Sequence, residues 1–199
     1  KCERAEKSFS EAAKPSVDGI IHDFESGLLE GVTTSGNASF TSDKKLSLAS
    51  GASITLPLHK RSVAVGTVIL SAKLNIPSDV NGTAAGISLT DASGNKIFLF
   101  TVKADGENAY ICETTKNATY GAIGSFALGE EHTLGLEYYR ATSDVRVYVD
   151  GVFIGASTLL YSADSASLTP DKATLLSYGG VIIDDMIFEG YAKVAPDEE

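Results

Sequence analysis

From Ile20 onward the chain alternates apolar and polar residues with a period of two, and no stretch keeps a helical period. In "DVRVYVDGVFIGAS", Val145, Val147 and Val149 fall on one side of an extended segment, and Arg146, Tyr148 and Asp150 on the other. Asp150-Gly151 then supplies the positive φ that a tight hairpin needs. "TVILSAKLNIP" sets Val68, Leu70, Ala72, Leu74 and Ile76 against Ser71, Lys73 and Asn75. "HTLGLEYYRA" sets Leu134, Leu136 and Tyr138 against Glu137 and Tyr139. "AGISLTDASGNKIFLFTVKADGENAYICETT" reads as three strands joined by the turn formers "DASGN" and "ADGEN". Within it "KIFLFTV" is apolar on both faces and belongs in the middle of a sheet. Short strands at regular spacing, with no crossover helices, predict an all-β sandwich or barrel with antiparallel sheets.

The ends of the chain differ from this pattern. Residues 1–18, charged and Ala-containing with Pro15 as a stop, read as an N-terminal arm or linker with a short helix. Residues 19–193 form one domain, and 194–199 an acidic tail. The longest polar gap, 162–174, is a loop. A chain of 199 residues suits one sandwich and buries roughly 70% of its unfolded surface, enough for a core without staples. Two cysteines are too few for a disulfide framework, and Cys2–Cys112 is either one bridge tying the arm to the domain or two separate thiols.

The formal net charge of −10 argues against nucleic acid and anionic membranes as partners. No apolar run approaches the roughly 18 residues of a membrane span.

The order of segments adds a resemblance. "HDFESGL" opens the globular part, "GISLTDASGNKIFLF" and "ENAYICET" follow, "EEHTLGLEYYRATSDVRVYVDGVFIG" comes next, and "YGGVIIDDMIFEGY" closes it. This succession, from about Ile20 to Tyr191, resembles the concanavalin A-like lectin/glucanase superfamily, and within it the laminin-G-like jelly rolls of bacterial extracellular proteins. The resemblance implies a two-sheet antiparallel jelly-roll sandwich whose first and last strands lie side by side. It implies a non-catalytic carbohydrate-binding or adhesion module of a secreted or cell-surface bacterial protein, part of a larger multidomain chain, with a polysaccharide or glycan as partner. The alternatives are a structural spacer domain without a glycan site and a glycan-active hydrolase or lyase. One departure counts against a strong sugar site: relatives often carry a Trp before the strand corresponding to "HTLGLEYY", and this chain has none.

Two sets of residues carry candidate chemistry. In "VIIDDMIFEG" strict alternation puts Asp184 with Ile182, Met186 and Phe188, and Asp185 with Ile183 and Ile187, so one carboxylate starts on a face that looks buried. Beside the first strand they would join Asp23 and Glu25 in a Ca²⁺ cage; the competing reading is four solvated acids at strand ends. For carbohydrate, Tyr139 with Glu137, Tyr148 with Arg146 and Asp150, and Tyr110 with Thr114 share one sheet face, offering rings to stack on and charges to bind hydroxyls. Tyr120 and Tyr178 lie in loops as alternates. The E-x-D-x-x-E string of retaining β-glucanases is missing, and so are the G-x-S-x-G elbow and zinc spacing among His22, His59 and His132. His22, on a face with Ile20 and Phe24, reads as a partly buried histidine with its hydrogen bonds satisfied.

Overall fold

The computed structural model describes residues 20–192; the arm, the acidic tail and Cys2 lie outside the described residues. The strands, numbered along the chain, build two layers. One sheet has seven strands in the order β1 (Thr33–Ser35), β4 (Ser53–Pro57), β14 (Lys172–Ser177), β7 (Asn81–Thr90), β8 (Lys96–Asp105), β9 (Asn108–Thr114) and β10 (Thr119–Ala127). The other runs β13 (Val152–Ser157), β12 (Asp144–Val149), β11 (Glu131–Tyr139), β6 (Thr67–Asn75), β15 (Val181–Tyr191), β3 (Leu46–Leu48) and β2 (Ala38–Phe40), with β5 (His59–Lys60) as an eighth strand against β15. Pairing is antiparallel except at β5, where Glu189 and Gly190 meet His59 and Lys60 in parallel.

The two inner faces are the apolar sets that alternation picks out. Leu70, Ala72 and Leu74 of β6, Leu134, Leu136 and Tyr138 of β11, and Val145 and Val147 of β12 pack against Ile87, Leu89, Phe98 and Phe100 of the other sheet. Phe98 and Tyr138 join the layers edge to face, with ring centroids 6.0 Å apart. β8 lies inside its sheet between β7 and β9, as its apolar run predicts. At one margin β10 and β13 close the sandwich. A Cβ on Gly124 would fall 2.1 Å from Cδ1 of Ile154, so a larger residue there would have to displace that side chain. The β12–β13 hairpin turns on Asp150 and Gly151, both at positive φ, as that dipeptide predicts.

The opening and closing segments are neighbours, although the opening one forms a single bridge instead of a strand. The His22 N–H donates to the Met186 carbonyl at 2.8 Å, and the Met186 N–H returns to the His22 carbonyl at 3.1 Å. Phe24 then leaves at positive φ and enters the same core as Phe188.

The alternation expected through the two aspartates is corrected by a β-bulge. Asp184 faces Lys73 and Ile187 faces Ser71, so β15 carries one residue more than β6 at this point, with Asp185 at φ 44°. The extra residue resets the phase. Ile183 before it and Met186 and Phe188 after it all point inward, and both carboxylates are half-exposed. Asp185 pairs with Lys73 at 2.5 Å, and the Asp184 carboxylate accepts the Asp185 N–H at 2.9 Å. Burial, followed by the neighbouring Asp185 charge, pushes the Asp184 carboxyl above its ordinary value.

Candidate functional site

Four of the five residues expected to meet carbohydrate share the outer face of the eight-stranded sheet. Leu136, Tyr138, Val145 and Val147 point into the core, so Glu137, Tyr139, Arg146 and Tyr148 point away from it. Register sets Glu137 opposite Arg146, and the Arg146 guanidinium lies 5.1 Å from the centre of the Tyr139 ring. Tyr110 is not with them. It sits on β9 in the other sheet and donates its hydroxyl to Asp105 at 2.8 Å. Alternation gives the face of a strand but not the sheet it joins, and the Tyr110 assignment fails for that reason. Tyr120, expected in a loop, lies within β10; Tyr178 follows β14 in a turn, as expected.

Two of the four are buried within the assembled face, while Tyr139 and Arg146 stay half-exposed. Glu137 is 3% exposed and Tyr148 5%. The Tyr139 hydroxyl donates to Glu137 Oε2 at 2.6 Å, and Tyr148 donates to the same oxygen at 3.3 Å. Glu137 Oε1 is buried with no hydrogen-bond partner, as is Thr67 Oγ1. Two strands away the same device recurs. Register runs Glu137, Ile69, Glu189 across β11, β6 and β15, and Tyr139, Thr67, Tyr191 in the next row. Tyr191 donates to Glu189 Oε2, and the Ile20 N–H donates to Oε1 at 3.1 Å. Glu189 is fully buried. Burial, and then the bond to its glutamate, pushes each of Tyr139 and Tyr191 well above the usual phenol range, so both stay protonated donors. The repeated Glu-x-Tyr spacing is visible in "EYY" and "EGY", but pairing it requires knowing that β6 lies between those strands. The two carboxylates stand about 9.5 Å apart at their Cα atoms, two strand spacings. Their burial keeps substrate from both.

Three of the four acids of the expected calcium cage make local contacts of their own. Asp23 and Glu25 are exposed, and Asp23 accepts the Glu25 N–H at 3.1 Å in a local turn. Asp185 is held by Lys73. Among the described residues no three His, Cys, Asp or Glu side chains are grouped to hold a metal ion. His22 is buried at 7% exposure, but its Nδ1 has no partner, so the expectation of a satisfied histidine is corrected. Burial lowers its pKa. Cys112 is buried, and any bridge to Cys2 concerns a residue outside the described ones.

Open space lies elsewhere. A cleft of about 350 Å³ opens where the β7–β8 and β9–β10 turns meet the long β13–β14 connection. Asn95, Lys96, Lys116, Tyr161, Ser162 and Asp164 line it. In "DASGN" the Asp91 carboxylate accepts the N–H groups of Ser93 and Asn95 at 3.0 and 2.8 Å and the Asn95 amide at 2.9 Å, which holds its pKa low. Gly94 provides the positive φ that closes this turn. Tyr161 is stitched in by its backbone. Its N–H donates to Ile97 O and its carbonyl accepts from the Lys116 N–H, both at 2.9 Å. Behind it the buried Ser165 hydroxyl donates to the Lys96 carbonyl at 2.8 Å and accepts the Ser162 N–H at 3.0 Å. The Lys96 ammonium sits 5.3 Å from the centre of the Tyr161 ring. The sequence reading missed this site. Its only local trace is a tyrosine at the head of the 162–174 gap, and the lysines arrive from turns 65 and 45 residues upstream of it.

No family model and no curated protein matches this sequence. Solved structures do match in shape. A sialidase superposes with a TM-score of 0.65 at 11% identity over 87% of this chain, and the match spans 18% of that protein's length. The CBM2 module of the evolved Dit of Lactobacillus casei BL23 phage J-1 gives 0.60 at 12% identity, covering 85% of this chain and 93% of the module. The carbohydrate recognition domain of Emp47p gives 0.61 at 13% identity, covering 91% and 99%. At such identities the shared property is the fold, a lectin-like β-sandwich.

Proposed function

We propose that this chain is a non-catalytic carbohydrate-binding or adhesion module of a secreted or surface-attached bacterial protein, one unit of a larger chain. The observation that carries this reading is the cleft at the end of the sandwich. It combines an aromatic ring with amide, hydroxyl, ammonium and carboxylate groups, which is the chemistry a saccharide needs: a plane for C–H stacking and polar partners for hydroxyls. Its volume suits one or two sugar rings. The likeness in shape to a carbohydrate recognition domain and a CBM2 module supports the reading as analogy of fold.

A second reading keeps the sugar on the outer face of the eight-stranded sheet, where Arg146 and Tyr139 form a cation–ring pair and Tyr139 is only half-buried. A glycan array with Tyr161→Ala and Tyr139→Phe variants decides between them. We expect the wild type to bind at least one saccharide, Tyr161→Ala to lose it, and Tyr139→Phe to keep it. Loss with Tyr139→Phe alone would move the site to the sheet face. No binding by the wild type to any neutral or acidic glycan would leave a structural spacer.

A further inference from the structure

The cleft also has a preference of charge, and the inference from it rests on the sugar-binding reading above. The chain carries 26 acids against 16 lysines and arginines, so carboxylate partners for its cations are plentiful. Lys45 and Lys73 take such partners, at 2.6 Å from Glu131 and 2.5 Å from Asp185. Lys96 and Lys116, like Lys44, Lys60, Lys103 and Lys172, have no carboxylate within ion-pairing distance among the described residues; what sets Lys96 and Lys116 apart from those four is that they line one cleft, which Asp164 also lines. Two lysines without an ion pair among the described residues thus line one concave site in a strongly acidic molecule, and the Lys96 ammonium lies over its aromatic ring.

We propose that the cleft takes a saccharide bearing a carboxylate, with Lys96 and Lys116 binding the acid group, Tyr161 stacking on the ring, and Asp164 and Asn95 accepting from hydroxyls. Several features favour this division of roles. An ammonium–carboxylate contact is charge-assisted and roughly twice as strong as a neutral hydrogen bond. The Asn95 amide nitrogen is already committed to Asp91, which leaves its carbonyl oxygen as an acceptor. Asp164 repels a carboxylate but accepts from hydroxyls, so it orients the ligand with its acid toward the lysines. The connection is rigid because Tyr161 is bonded on both sides, so little ordering is left for the ligand to bring about. A hexuronic acid and a sialic acid share this chemistry.

The test uses two matched pairs in calorimetry at fixed salt: trigalacturonate against its methyl ester, and sialyllactose against its methyl ester. We expect the acid of at least one pair to bind about tenfold tighter than its neutral partner, the effect of one added charge-assisted contact. In a Lys96→Met, Lys116→Met double variant that ratio should collapse to within about twofold. Methionine preserves the apolar stem over Tyr161, and thermal melts confirm that the variant is folded. A neutral partner that binds as tightly as its acid overturns the charge preference and leaves the sugar reading intact. An undiminished ratio in the double variant overturns the assignment to the lysines. Binding of neither member of either pair also overturns the proposal, and the array of neutral glycans then decides separately whether the sugar reading survives.

Discussion

Replacing Tyr139 by phenylalanine removes one hydroxyl and nothing else, and the structure fixes what that should cost. The hydroxyl donates at 2.6 Å to a carboxylate that is 3% exposed. The other oxygen of that carboxylate has no partner, and the remaining donor to Oε2, Tyr148, stands at 3.3 Å. A hydrogen bond to a charged group contributes about 1.5–3 kcal/mol, and the upper half applies where the acceptor cannot turn to water. We therefore expect Tyr139→Phe to cost about 2 kcal/mol. For a domain of this size that lowers Tm by roughly 4–8 °C. A cycle with Glu137→Gln isolates the pair. Glutamine keeps an acceptor but removes the charge, so in its presence the tyrosine should matter much less, with a coupling energy of about 1 kcal/mol or more. Urea unfolding of the four proteins at pH 7 measures this, with the slope m checked for constancy. A change below about 0.5 kcal/mol for Tyr139→Phe, or additivity within error, would refute the claim that this bond supports a buried charge.

Three further outcomes follow from other parts of the molecule. Because burial depresses the His22 pKa below 6.5, the unfolded chain binds more protons as pH falls through that value; stability is complete above it and declines toward the folded pKa. Urea midpoints at pH 7.5 and 5.5 should therefore diverge less in His22→Gln than in the wild type, and an unchanged difference would remove His22 from the account. Deleting Asp185 straightens the bulge while leaving Ile183, Met186 and Phe188 inward, and also relieves a positive φ. The deletion should fold and melt well above Phe188→Ala, which empties a fully packed site at a cost of about 3–5 kcal/mol; the reverse order would contradict the assigned phase. Melting with calcium and with chelator should give the same Tm, since Asp185 is committed to Lys73 and Asp23 to its own turn; a calcium-dependent rise would restore the four-acid cage.

Period-two alternation was enough to place the core faces of β6, β11 and β12, because a strand buried on one side must segregate its residues and no other term competes. It failed at Asp184 and Asp185 for an identifiable reason. A bulge adds a residue without adding a side of the sheet, and its marker here is a positive φ at a non-glycine residue, which no hydropathy pattern records. The adjacent acids were the available trace of it, since aspartate tolerates the left-handed region better than the apolar residues around it. The opening segment was legible as a neighbour of β15. Its reduction to one bridge was not, because the chain turns away at Phe24, a positive-φ residue that belongs to the core and that no hydropathy pattern marks as a turn.

The candidate site shows the limit of the same logic from the other side. Residues on one strand or one hairpin can be grouped from sequence, which is why Glu137, Tyr139, Arg146 and Tyr148 came together as expected, all within the β11–β12 unit. Sheet order is needed for anything wider: it separated Tyr110 from that group and brought Glu189 and Tyr191 toward it. A face covered with paired polar groups is also different from an open one. Glu137 and Tyr148 have the composition of a sugar platform and the burial of a core, and composition cannot distinguish these. The open site is built from three connections, and connections carry no period. Its rigidity arises from backbone bonds made by Tyr161, whose identity is irrelevant to those bonds and decisive for what the cleft can stack. A residue whose main chain holds the site together while its side chain does the recognition leaves almost no sequence pattern, so such sites emerge only once the turns are placed in space.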